Sequence, residues 1–497
     1  MWFLLISIFI CCSILKYFQK LNYWRSHGVK NISFIRLISN VLKRQMGVAL
    51  GDIYQQLYEE KEPFKVALSP FLTVLILQDM ESIKDVMIKQ FENFPERGFY
   101  TNHRDPLNTN LIRLEYEWWR PLRQKLTPVF SPAKMQAIFP TLLKVTELFA
   151  SKVKTTMEEE ENGELAIYDL CARFTTDVVG SVAFGIEFNS LEDPNSQARR
   201  QGLKIFDYVW HPILDSLAGH YRAVKNFFNI KLFKPEISGF FRKLVSNIIE
   251  YRQKNGIRRE DLMDTLIELK QHDERSKQEF ALSLELIVGQ VFGFFGAGFE
   301  TSSNTLTYVL YELARHPEIQ EKARENVKEV LKNHGNEFTY ENIREMQYLK
   351  QVINETLRLH PPAPYTVRVC RQPCSLTTKR GSLKIPLGTK VMIPIYGIHH
   401  NPQYYPQPHL FRPERFDANM ELGCKFPSCA YMPFGLGPRI CIGERLAKML
   451  LTLSLAMLLQ RYRFSCCPAT PKELHFDPRK MLVLSSKEKI VLKVETV

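Results

Sequence analysis

Phe434-Gly435-Leu436-Gly437-Pro438-Arg439-Ile440-Cys441-Ile442-Gly443 runs straight into a helical stretch that begins at Glu444. As a nucleotide loop it fails, because a GxGxxG pattern needs glycine where Ile440 stands, and no Gly-Lys-Ser/Thr follows for a phosphate loop. As a metal loop it is coherent. A single thiolate at the start of a helix is stabilised by the positive end of the helix dipole and by backbone N–H groups. Gly437 and Gly443 let the backbone pass close beneath a flat ligand, and Arg439 reaches an anionic group on it. The plain alternative is one more buried free cysteine.

Working outward, Glu355 and Arg358 sit three apart on a helical stretch ending at His360 and Pro361, so they share one face. Alone, such a pair reads as a surface bridge. A longer helix is predicted from Leu282 to Arg315, stopped by His316 and Pro317, and it would span roughly 50 Å. Its apolar core, Leu286 to Phe299, is interrupted by Gln290 and is too short for a membrane span, so it reads as a buried central helix. The middle, Gly296-Ala297-Gly298-Phe299-Glu300-Thr301, sets small and polar residues into that run. Further helices are expected over Pro132 to Glu160 and Ile237 to Gln253. Strands are expected over Phe64 to Gln78, Leu383 to Tyr396 and Met481 to Val494. The fold class is therefore mainly α with small β-sheets.

The chain has 497 residues with no repeat or linker that divides it, and 45% hydrophobic against 24% charged content allows one large core. Met1 to Leu15 are apolar apart from two serines, and the run extends to Phe18, roughly 27 Å as a helix. It lacks the basic start of a cleaved signal, so residues 1–20 read as a membrane anchor, 21–62 as a basic linker and the start of the body, and 63–497 as the main domain. The basic residues before Asp52 place that body in the cytosol. Ten cysteines without a CxxC pair give neither a disulfide scaffold nor a structural zinc site. The net charge of +13 suits anionic lipid or an acidic protein partner. No basic stripe interleaved with aromatics speaks for nucleic acid.

The Phe434 to Gly443 segment matches every fixed position of FxxGxRxCxG, and in this the chain resembles the cytochrome P450 superfamily over nearly its whole length. The stretches ARFTTDVVGSVAFGIEF (172–188), RGFYTNHRDPL (97–107) and LTPVF (126–130) resemble most closely the insect microsomal members that handle xenobiotics, relatives of the vertebrate drug-oxidising class. The resemblance implies a long central helix over haem with the Cys loop beneath, and Cys441 as the thiolate ligand of the iron, beside Phe434. It implies a buried triad of Glu355, Arg358 and Arg415, the last from Pro413-Glu414-Arg415-Phe416. It assigns the haem propionates to Trp119, Arg123, Arg368 and Arg439. Ala297 to Thr301 resemble the oxygen-activation motif, in which Thr301 bonds back to the Ala297 carbonyl to admit water and Glu300 relays protons.

By the same analogy an apolar substrate pocket is lined from the segment Tyr100 to Leu114, by Phe292, Phe295, Ala297 and Phe299, by Tyr365, Thr366 and Val367, and by Leu482 and Val483. Phe206 to Phe241 reads partly as ordinary amphipathic packing and partly as a second membrane contact. The implied reaction inserts one atom of O2 into a lipophilic molecule, with detoxification of xenobiotics and insecticides as the expected role. A dedicated hormone or pheromone oxidase and a non-catalytic haem protein are the rivals. With no NAD or flavin motif in the chain, electrons come from NADPH through a cytochrome P450 reductase at the endoplasmic reticulum membrane, cytochrome b5 being a further candidate donor. Arg120, Lys125, Lys425, Arg445 and Lys448 are the expected docking residues. Two departures stand out: no proline precedes Pro63, where a hinge is expected, and Tyr116 replaces a glycine before the WxxxR helix.

Overall fold

A computed structural model describes residues 2–70, 72–99, 101–205, 231–276, 283–378, 381–417 and 427–497. The apolar N-terminal run is one helix, α1 (Trp2–Ser26), that continues past residue 20. Its last turns belong to the body, because Leu21 and Trp24 are buried and the Tyr23 hydroxyl donates to the Lys384 carbonyl at 3.1 Å. Among the described residues no helix is long and apolar enough to cross a membrane.

β1 (Lys30–Ile32) pairs in parallel with β2 (Phe64–Leu68), which turns at Ser69–Leu72 into β3 (Thr73–Leu77). The sheet closes through β8 (Lys390–Ile393) and β5 (Thr366–Val369), in the order β1-β2-β3-β8-β5. β6 (Cys374–Thr378) and β7 (Gly381–Ile385) form a separate hairpin, and β4 (Glu164–Ala166), β10 (Val491–Thr496) and β9 (Tyr462–Cys466) a three-stranded sheet. The strand expected from Met481 is corrected: pairing as a strand begins only at Val491, and Met481 to Ile490 is a turn region whose Leu484 N–H bonds the Pro362 carbonyl at 2.9 Å.

Helices fill the rest of the body. α2 (Tyr116–Leu126) precedes α3 (Pro132–Glu159), which starts with proline at its first position, where a missing N–H costs nothing. α4 (Ile167–Val178) and α5 (Pro235–Asn255) flank α6 (Leu284–Arg315), and α7 (Gln347–Leu359) and α8 (Glu444–Arg461) close the other side. Ser283 caps α6 by accepting the Leu286 N–H at 3.2 Å, and Pro317 forces its end at Arg315. The N-terminal half of α6 packs Val291, Phe292 and Phe295 into one core with α5, while its C-terminal half packs Leu306, Leu310 and Leu313 into another with α3, α7 and α8. At about 1.5–3 kcal/mol for each large apolar side chain, these two cores fix α6 along its length.

Candidate functional site

The Cys loop is held by its own backbone. Cys441 N–H bonds the Phe434 carbonyl at 2.9 Å, and Gly437 holds a positive φ of 70°. A side chain at Gly437 would stand 1.9 Å from the Met87 carbonyl oxygen, so the close approach that demands glycine there is to the chain's own backbone. Cys441 keeps an accessible face although protein surrounds it at longer range on every side. Burial pushes its thiol above the ordinary value, while the Gly443 N–H, Arg97 and Arg123 pull it back.

Above the loop lies a cluster of arginines. Burial depresses Arg97, Arg368 and Arg439 alike; Arg97 then lowers Arg368, and Arg97 and Arg368 lower Arg439 with Glu96 offsetting part of that, while at Arg97 itself Cys441 opposes the depression and Arg123 adds to it. Arg97 donates to the Arg439 carbonyl at 2.9 Å and Arg368 to Thr366 Oγ1 at 3.0 Å, yet Nε of both is buried without a partner. Guanidinium groups do not lose their proton in proteins, so the cluster stores repulsion that an anion relieves. Arg439 differs from its expected use: its donors go to the carbonyls of Pro95, Leu111 and Leu114, and its guanidinium lies 3.9 Å from the centre of the Trp119 ring. Arg97, quoted in the sequence only as part of a similar stretch, is the cation that reading missed.

Glu355, Arg358 and Arg415 form a closed set. Arg358 meets the Glu355 carboxylate through two donors at 2.8 Å and Arg415 adds a third at 3.2 Å, all three side chains being buried. Their remaining donors reach the carbonyls of His399 (2.8 Å), Leu410 (3.3 Å) and Gln407 (2.8 Å). His399 then accepts the Met432 N–H at 3.1 Å, two residues before Phe434. The triad is thus wired to the Cys loop through a histidine that no motif marked.

On α6, Thr301 Oγ1 donates to the Ala297 carbonyl at 2.6 Å. Ala297 is exposed between buried Gly296 and Phe299, so a small apolar residue stands uncovered on the same stripe as Thr301. Glu300 points the other way: its carboxylate takes the Tyr168 hydroxyl at 3.0 Å, Ser485 Oγ at 3.2 Å and Asn304 Nδ2 at 3.4 Å. Burial, and then the charge of Glu300, holds Tyr168 well above its usual range, so the phenol stays a donor.

A family model for cytochrome P450 matches residues 32–494. The chain belongs to the cytochrome P450 family. Similar curated proteins of Drosophila melanogaster include probable cytochrome P450 6a14, 38% identical with 96% of each chain covered, and cytochrome P450 6a8, 37% identical over 98% of this chain and 97% of that one. Cytochrome P450 6a2 is 35% identical with both chains covered in full. This P450 is a haem monooxygenase, and its residues suit that group: an accessible thiol at a helix start and buried, under-partnered arginines that match a flat ligand carrying two carboxylates.

The lining residues expected in this P450 are placed as follows. Phe292, Phe295 and Phe299 are buried in an aromatic cluster with Phe233, Phe241 and Phe188, at ring separations of 4.7 Å for Phe233–Phe292, 5.4 Å for Phe241–Phe295 and 5.9 Å for Phe188–Phe295. The cause is the helix period: three- and four-residue steps carry these phenylalanines along one stripe of α6, while Ala297 and Thr301 follow another. Phe294 lies on neither core alone and stacks on Phe130 at 5.7 Å. Tyr365 and Val367 are half-buried, Thr366 serves Arg368, Leu482 is half-buried and Val483 is buried. Tyr100, Lys425 and the stretch 206–230 lie outside the described residues. Within the expected second membrane contact, Leu232, Phe233 and Phe241 are core. Tyr116 fills the expected glycine position by packing its ring 6.1 Å from Phe91 and 6.3 Å from Trp119.

Proposed function

We propose that this P450 oxidises lipophilic foreign compounds, insecticides among them, at the cytosolic face of the endoplasmic reticulum membrane. The carrying observation is the uncovered face of α6 at Ala297 and Thr301, a small apolar residue beside a hydroxyl in the middle of a largely buried helix. Haem held by Cys441 supplies oxygen activation and transfer of one oxygen atom. The chain's own part is positional. Arg97, Arg123 and Arg368 neutralise the ligand's carboxylates, Trp119 supports Arg439, and the Glu355–Arg358–Arg415 triad holds the loop. Thr301, with its hydroxyl engaged four residues back, loosens α6 so that water reaches it, and Glu300, held by three donors behind the helix, relays protons.

Electrons arrive from NADPH by way of a flavoprotein reductase, with cytochrome b5 as a second donor. Arg120, Arg445 and Lys448 are exposed on the side of the Cys loop and α2, where an acidic partner surface would meet them. Membrane attachment uses α1, whose Phe3, Ile8, Ile10, Ile14, Leu15 and Phe18 are exposed. The deciding experiment titrates purified holoprotein with a panel of unrelated lipophilic compounds, following the shift of the ferric spectrum and reductase-supported NADPH consumption. Shifts and turnover with many members support detoxification. A response confined to one steroid or one volatile signal molecule overturns it in favour of a dedicated oxidase.

A further inference from the structure

Away from the haem site the chain brings two thiols together. β5 ends at Val369 and β6 begins at Cys374, and the turn between them leaves the Sγ atoms of Cys370 and Cys374 4.0 Å apart. Cys370 is buried, with its sulfur also 3.0 Å from the Gln372 carbonyl oxygen, whereas Cys374 is half-buried and reachable by a small molecule. The backbone is pinned on both sides. Cys370 N–H bonds the Thr389 carbonyl at 2.9 Å, the Cys370 carbonyl accepts Gly388 N–H at 2.8 Å, and Arg371 N–H bonds Asn93 at 2.8 Å. Cys374 is in register with Ile385 on β7. The sulfurs have to close from 4.0 Å to bonding distance, and side-chain rotation supplies that motion.

We propose that Cys370 and Cys374 are a dithiol modification site at which a hydroperoxide forms a reversible disulfide within the chain. The Cys374 thiolate attacks one peroxide oxygen, the O–O bond breaks, and a sulfenic acid and water (or an alcohol) result. The Cys370 sulfur then attacks the sulfenic sulfur, forms the S–S bond and expels the second oxygen as water. Two thiols lose two electrons and the peroxide gains them. The hydrogen bond from Cys370 lowers the Cys374 thiol while raising its partner, which fits this order of attack. In a reducing cytosol such a bond is transient. Its position matters, since Arg368 stands two residues upstream and Arg371 pairs with Glu117 on α2.

The test uses full-length holoprotein, pre-reduced, exposed to equimolar hydrogen peroxide, quenched with N-ethylmaleimide and digested with trypsin without reductant. Fragments 369–371 and 372–379 should remain joined and separate on adding dithiothreitol. With Cys370→Ser, dimedone should capture a sulfenic acid at Cys374, and with Cys374→Ser capture at Cys370 should be roughly tenfold weaker. Complete alkylation of both thiols in the peroxide-treated wild type overturns the proposal, and so does equal capture in the two variants. The wild-type result does not depend on either variant folding.

Discussion

Glu300 is held by three neutral donors, and the phenol of Tyr168 is the one whose removal leaves the shape of the site intact. If the carboxylate relays the proton used in oxygen activation, Glu300→Gln should lower turnover on the order of 10²-fold, a common worth for a placed acid–base group. Tyr168→Phe should lower it less, with the same ferrous carbonyl spectrum and more NADPH consumed per product. Equal coupling in Tyr168→Phe and wild type would show that the phenol only packs. His399 carries a second residue-scale prediction. Burial, and then Arg358, pushes its pKa down to about 3, so the folded ring is neutral. The unfolded chain takes up that proton near pH 6.5. Stability from this group is therefore complete above about pH 6.5 and drains as pH falls toward 3, at up to about 1.4 kcal/mol per unit. His399→Asn, which keeps an acceptor for Met432 N–H, should flatten denaturation midpoints measured between pH 6.5 and 4.5, with half-buried His400 retaining a slope of its own.

Among elements, what the sequence revealed depended on whether a signal was local. α6 was legible almost to the residue because an apolar run and a terminal His316-Pro317 stop lie in order along the chain. The triad was legible only through the family resemblance of two short motifs, because Glu355 and Arg358 three residues apart read on their own as a surface bridge and nothing local says that they are buried with Arg415. The face of α6 that lines the interior was not legible, since phenylalanines on any stripe look alike until neighbours from α5 and Phe188 claim one of them. Nor was the division of labour among arginines. Arg439 spends its donors on the 95–114 segment, whereas Arg97 keeps one buried and unmatched. The two should fail differently. Arg97→Ala should cost roughly tenfold in haem retention, the scale of one charge-assisted hydrogen bond, with little change in the melting temperature of the apoprotein. Arg439→Ala, which strands three carbonyls and uncovers Trp119, should lower that melting temperature itself. Haem transfer to an acceptor protein and apoprotein melting, measured on both variants, separate the effects, and parallel losses in the two would reject the assignment.

At the scale of the whole molecule, the missing proline hinge finds its physical counterpart in α1. A hinge lets an anchor and a body move independently; here one helix runs from the exposed apolar residues at Phe3 and Ile8 into side chains that the body buries, Leu21 and Trp24. Lys20 adds a bond to the Ser69 carbonyl at 3.4 Å, and a cleft of about 380 Å³ between this end of α1 and the Pro386–Thr389 turn sets exposed Leu387 alongside. If α1 attaches the protein to a membrane as proposed, attachment and folding divide within a single helix, near residue 19, and not at the helix end. A chain beginning at Gln19 should leave the membrane fraction yet keep its ferrous carbonyl spectrum and its melting temperature. A chain beginning at Gly28 loses Trp24 from a packed core, a deficit of about 3–5 kcal/mol, and should melt far lower or lose its pigment. Sedimentation with vesicles and thermal melts on the two truncations make the comparison. Equal stability in both would mean that the last turns of α1 merely rest on the sheet, and release of neither from vesicles would move the attachment to another surface.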